Sequence, residues 1–99
     1  MLELHVCNKQ GKVLRAFALG DSEELIIGRD ETCDIRIRAK TISREHCTVE
    51  REGEDFVLRD LDSTGGVFLD GQRVDRVRLR SGIEVTVGPA VLKFYDNEI

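Results

Sequence analysis

Ser43, Arg44 and His46 place a hydroxyl, a guanidinium and an imidazole within four positions, in the stretch TISREHC. Three chemistries use such a set. A serine whose proton passes to a nearby histidine is the start of a nucleophilic hydrolase. A histidine beside a cysteine, here His46 and Cys47, is a candidate metal pair. A hydroxyl beside a guanidinium is a cradle for an anion, because both donate hydrogen bonds and one carries charge.

The surrounding residues discriminate among these. A hydrolase needs a group that orients the histidine and a turn that stabilises an oxyanion. No GxSxG elbow surrounds Ser43, so no catalytic residue is assigned and the chain is not expected to be an enzyme. His5, Cys7, Cys33, His46 and Cys47 form no CxxC or HxxxH pair, and neighbours on a strand point to opposite faces. Neither a metal nor another cofactor is expected. The anion reading gains support instead: from Arg36 through Arg38 and Lys40 to Arg44 the chain carries no acid. On a protein of net charge −4, a local positive rim points to a small anionic ligand rather than a nucleic acid.

The elements that must position these groups are short strands. Apolar residues alternate with polar ones in LELHV, where Leu2, Leu4 and Val6 share a face. Further strands follow in VLRAFAL, ELIIGR, DIRI, CTVER and DFVLRDL. NKQGK and EGE read as hairpin turns, and Asp70-Gly71 between VFL and QRV is a strong hairpin signal. VRLRSGIEVTVGPAVLKFY supplies three more strands, split at Ser81-Gly82 and Gly88-Pro89. No window holds a sustained helical period. The pattern predicts an all-β, two-sheet sandwich, and the length of 99 residues predicts one domain spanning 1–99.

No apolar run approaches the ~20 residues that a membrane helix needs. The opening MLELHVCNKQGK interleaves charge with apolar residues, unlike a secretory signal. Three cysteines without paired spacing fit reduced thiols, so the expected location is cytoplasmic. Cys7 and Cys47 read as buried hydrophobes. Cys33, flanked by acids, is expected to have a raised pKa and little reactivity.

Residues that break the strand alternation cluster in IIGRDETCD, AKTISREHC and DLDSTGGVFLDG. Loops at one end of a sandwich converge in space, so these three can bring Arg29, Ser43, Arg44, Ser63 and Thr64 around one small volume. In order and spacing, Gly28-Arg29, Ser43-Arg44-x-His46, Asp60-x-x-Ser63-Thr64-Gly-Gly66 and Asp70-Gly71 resemble the signature of the forkhead-associated (FHA) domain, from about Leu25 to Phe94. The resemblance implies an eleven-stranded sandwich with binding loops at one end. It also implies recognition of phosphothreonine in a partner protein, for phosphorylation-dependent signalling.

Carried onto this chain, the resemblance makes Arg29, Ser43, Arg44, Ser63, Thr64 and Gly65 the phosphopeptide-binding set. Arg29 and Ser43 would hold the phosphate, Arg44 would add a second cation or hold the peptide backbone, and Thr64 would bond near the phosphothreonine. For Ser63 a turn-capping role is the alternative. Gly28, His46, Gly66, Asp70 and Gly71 would support the site, with His46 bracing the loops through both ring nitrogens.

This chain departs from the family at Gly65, where the usual STNG motif carries asparagine. The lost peptide contact costs about 1–2 kcal/mol, roughly tenfold in affinity. The rival reading is therefore an FHA-like scaffold or dimerisation module that needs no phosphate. No nucleic acid or membrane partner is expected, and for the oligomeric state, which the sequence leaves open, a monomer is the default.

Overall fold

Alternation of apolar and polar residues along each strand leaves one face to bury, and two sheets must meet to bury it. The computed structural model describes residues 1–96 and has this arrangement. Its strands are β1 (Leu2–Cys7), β2 (Val13–Ala18), β3 (Glu24–Gly28), β4 (Ile35–Arg36), β5 (Cys47–Glu52), β6 (Asp55–Asp60), β7 (Val67–Leu69), β8 (Gln72–Val74), β9 (Arg76–Leu79), β10 (Glu84–Val87) and β11 (Ala90–Asp96). One sheet runs β2-β1-β11-β10-β7-β8 and the other β4-β3-β5-β6-β9. All pairings are antiparallel except β3 with β4.

The register places core residues opposite one another. Leu4 faces Phe94 across β1 and β11, and Val85 faces Leu92 across β10 and β11. On the second sheet Ile27 pairs with Cys47, and Val49 with Leu58. These side chains, with Ile35, Ile42 and Val67, are buried in one shared cluster. Each fully buried Leu, Ile or Phe contributes roughly 1.5–3 kcal/mol of transfer free energy.

Two strands differ from their sequence expectation. β4 keeps only Ile35 and Arg36 of DIRI, because the chain turns away to form the loop before β5. β2, which reads as an ordinary strand, is exposed along nearly its whole length, with Phe17 half-buried. It is an edge strand paired only to β1; Phe17 packs against the core cluster while Val13 and Leu14 remain exposed. The Asp70-Gly71 turn has φ of 52° and 80° and closes Leu69 onto Gln72. Both central residues need positive φ in this kind of two-residue hairpin, which suits the pair Asp-Gly. Among the described residues no helix is long and apolar enough to cross a membrane.

Candidate functional site

The β3–β4, β4–β5 and β6–β7 loops meet at one end of the sandwich, and backbone bonds hold them there. The N–H of Arg29 donates to the carbonyl of Ser43 at 2.9 Å, and that of Asp30 to the carbonyl of Arg44 at 3.1 Å. A β-carbon at Gly28 would sit 2.1 Å from the Arg44 carbonyl oxygen. Glycine there is thus what lets the loop preceding β5 lie directly on the end of β3. Arg29 is carried out of the core immediately after this contact.

His46 ties the loops from beneath. It is fully buried. The Ser43 N–H donates to its Nδ1 at 3.0 Å. Because Nδ1 accepts, Nε2 carries the proton and donates to the Gly66 carbonyl at 2.8 Å. One ring thereby links the β4–β5 loop to the β6–β7 loop. Cys33 adds another tie, its Sγ donating to the Arg44 carbonyl at 3.1 Å.

The Cys33 thiol is pushed up first by burial, then by Asp30, Glu45 and Asp34, against a backbone bond at Asp30 that lowers it. The flanking acids of the sequence expectation are real but secondary. Cys47 is pushed up to about 12 by burial and by the Asp60 charge. Both thiols stay protonated at neutral pH.

Above this frame Arg29, Lys40, Thr41, Ser43, Thr64 and Gly65 line one open pocket. The N–H of Thr64 donates to Ser43 Oγ at 3.1 Å, which occupies an acceptor site and leaves the serine O–H to donate outward. Arg29 spends Nε on the Ile42 carbonyl at 3.0 Å. That bond aims the guanidinium, and its terminal nitrogens have no carboxylate partner among the described residues. The arrangement offers a fork of N–H donors, hydroxyl donors and the Lys40 ammonium to one small anion.

Arg44 sits on an adjoining concavity with Arg29, Asp30, Glu31 and Arg36. Its guanidinium flanks the pocket instead of lining it. Ser63 takes a different place from the one expected of a ligand contact. It is buried, its Oγ donates to Asp60 Oδ1 at 2.6 Å and accepts the Gly66 N–H at 3.0 Å. Both capacities of the hydroxyl are used inside the loop, so it acts as the turn cap.

Three residues outside the sequence-derived set take part. Lys40 and Thr41 line the pocket, and the acid-free run around Lys40 was the available signal. Arg73 on β8 donates to the Ser63 carbonyl at 2.7 Å and lies 3.9 Å from Asp60 Oδ2, bracing the β6–β7 loop from the side. Nothing in the order of residues marks it, since the contact exists only once the β7–β8 hairpin has folded back. Among the described residues no group of three or more His, Cys, Asp or Glu side chains could hold a metal ion.

The FHA domain family profile matches residues 25–88, the segment containing all three loops. Human proliferation marker protein Ki-67 is 32% identical over 74 residues, covering 74% of this chain and 2% of Ki-67. Glycogen accumulation regulator GarA of Mycolicibacterium smegmatis is 31% identical over 86 residues, covering 87% of this chain and 54% of GarA. The chain thus spans about half of GarA and a small fraction of Ki-67. Among solved structures, an FHA domain studied for phosphothreonine-dependent interactions superposes with a TM-score of 0.84 at 23% identity, covering 99% of this chain and 98% of its own.

Proposed function

This chain belongs to the FHA-domain family, and from that premise we propose that its loop end docks a phosphorylated threonine on a partner protein in signalling, without catalysing a reaction. One observation carries the reading. Ser43 Oγ is fixed by the Thr64 N–H at 3.1 Å, and both residues share a pocket with the unpaired guanidinium of Arg29. Two hydroxyls and a guanidinium from three loops converge where a dianion with several acceptor oxygens would sit.

The structural relative studied for phosphothreonine-dependent interactions supports the choice of ligand. Its low identity leaves the argument to the residues of the pocket. The two sheets share one core cluster, which supports treating residues 1–99 as one binding unit. Three free thiols support a reducing, cytoplasmic setting.

Magnitudes set the expected strength. Three charge-assisted hydrogen bonds at about 1.5–3 kcal/mol each give roughly 5–9 kcal/mol gross. Ordering a flexible peptide costs several kcal/mol in return. Micromolar affinity or weaker follows, with most of it dependent on the phosphate.

The test is calorimetric titration of one peptide in three forms: threonine, phosphothreonine and glutamate at the same position. Binding confined to the phosphorylated form is expected, because a carboxylate lacks the third oxygen and part of the charge. Equal affinity for all three forms would remove the phosphate from the mechanism and leave the scaffold reading.

A further inference from the structure

A groove between the free edges of the two sheets is a surface that phosphate docking leaves unused. β2 pairs only with β1, and β4 only with β3, so both sheets end there. Between them lies an open groove of about 490 Å³. Leu14 and Arg15 of β2, with Arg36 of β4 and Arg38, Ala39 and Pro89, are among the residues that line it. Leu14 is 55% exposed and its neighbour Val13 49%. Water-facing aliphatic side chains on an unpaired edge mark a place where another chain can lie.

The charge of the groove states what kind of chain. No carboxylate lines it, and Arg15, Arg36 and Arg38 have no ion-pair partner among the described residues. The groove adjoins the concavity of Arg29, Asp30, Glu31 and Arg44, which shares Arg36 with it and Arg29 with the phosphate pocket. Arg15 donates to the Arg36 carbonyl, and Arg36 Nε donates to the Arg29 carbonyl at 2.9 Å. Arg36 lines both this groove and the concavity holding Arg29 and Arg44.

Resting on the phosphopeptide reading, we propose that this groove takes a second segment of the same phosphorylated partner, an extended stretch with an apolar side chain flanked by Asp or Glu. The apolar residue covers Leu14, and the carboxylates meet Arg15, Arg36 and Arg38. A chain leaving the phosphate pocket toward the groove would pass Arg36, which borders both the groove and the concavity beside Arg29. A second copy of this chain fits worse. A two-fold dimer through this face would set the three arginines against their own counterparts, and like charges oppose such pairing.

Fluorescence anisotropy tests this with a short phosphothreonine peptide of neutral flanks and versions extended at either end by alternating glutamate and leucine. A lysine–leucine extension is the charge control. One acidic extension is expected to tighten binding roughly tenfold, from burying one leucine while its glutamates meet the arginines; in the basic extension repulsion between its lysines and those arginines offsets the leucine's gain. The gain should vanish in Leu14→Asp and in Arg15→Glu, with binding of the short peptide unchanged.

Equal affinity for short and extended peptides overturns the proposal, as does a gain that survives both substitutions. A dimer in sedimentation that Leu14→Asp abolishes and that excludes the extension also overturns it, in favour of a second copy. Loss of the short peptide's own binding would instead strike the phosphate pocket. In that case an acidic extension that still binds through Leu14 upholds the groove, and one that does not ends both ideas.

Discussion

Arginines occupy two regions of this molecule under opposite rules. On the outer face of β5, β6 and β9 they are paired with acids. Arg59 meets Glu50 at 2.6 Å, Arg78 meets Asp55 at 2.5 Å, and Arg76 bonds Glu52. At the loop end Arg29 and Arg36 bond carbonyl oxygens of the main chain. Arg29, Arg36, Arg38, Arg44 and Lys40 have no ion-pair partner among the described residues. A carbonyl fixes a guanidinium without cancelling its charge. The paired face is therefore nearly neutral at short range, whereas at the loop end Arg29 and Arg36 are fixed with their charge uncancelled, beside Asp30 and Glu31. A carbonyl acceptor alone does not locate the site, since Arg51 on β5 also bonds the Ser22 carbonyl; several cations without acid partners gathered around adjoining concavities do.

The largest effect should come from exchanging one arginine in each region. Arg29→Ala removes the fork and is expected to weaken phosphopeptide binding at least a hundredfold, from the loss of about two charge-assisted bonds. The thermal midpoint should move by only a few degrees, because Arg29 makes one internal bond. Arg78→Ala should leave affinity within about twofold and stability within about 0.5 kcal/mol, as befits an exposed pair. Calorimetric titration and thermal unfolding of both variants check this. A loss of binding in Arg78→Ala equal to that in Arg29→Ala would erase the distinction.

His46 extends the contrast from charge to support. His46→Ala deletes both bonds joining the β4–β5 and β6–β7 loops and leaves a buried hole. A destabilisation of about 2–4 kcal/mol is expected, which lowers the midpoint by roughly 10–20 °C in a domain of this size. At a temperature where the variant remains folded, affinity should also fall, since Ser43 loses its anchor. Unchanged unfolding would show that the loops are held elsewhere.

How much of this was legible in the sequence depended on the range of the contact. Strand alternation, the Asp70-Gly71 turn and the buried Cys7 and Cys47 are local features, and the sequence carried them. Arg29, Ser43 and Thr64 were placed together by motif order, and the structure brings them to one pocket. Ser63 was harder. Its hydroxyl is consumed by Asp60 and Gly66, a satisfaction that residue type cannot reveal, because serine serves ligand and cap equally well. Arg73 was invisible because its contacts arise from hairpin geometry. The exposure of β2 was also hidden, since an edge strand and a central strand can share one alternation pattern.

Arg73 offers an intermediate effect, because it is an arginine of the β7–β8 hairpin bonded to a loop carbonyl. Arg73→Ala frees the Ser63 carbonyl at 2.7 Å and withdraws a cation from Asp60 at 3.9 Å. The Arg73 side chain is 49% exposed, so water replaces much of what is lost. About 1 kcal/mol of stability should go, with affinity falling a few-fold through the loosened β6–β7 loop. Denaturant unfolding separates this from His46→Ala by its smaller shift.

The smallest effect concerns Gly65, where the family's usual asparagine is absent. Restoring it by Gly65→Asn would seem to return a peptide contact and up to tenfold in affinity. Packing opposes this. A β-carbon at position 65 would stand 3.0 Å from the Thr41 carbonyl oxygen and 3.8 Å from His46 Cε1, so the β4–β5 loop must retreat by a few tenths of an ångström. Thr41 lines the pocket beside Ser43, and its retreat disturbs the donors that the asparagine is meant to join. Gains and losses should nearly cancel, giving less than about a threefold change in affinity and a midpoint lower by a few degrees. Gly65→Ala isolates the steric part: it should show the same small loss of stability with no new bond to offset it. A tenfold gain in Gly65→Asn with no thermal cost would mean that the loop yields freely, and that glycine is not required by the close approach of Thr41.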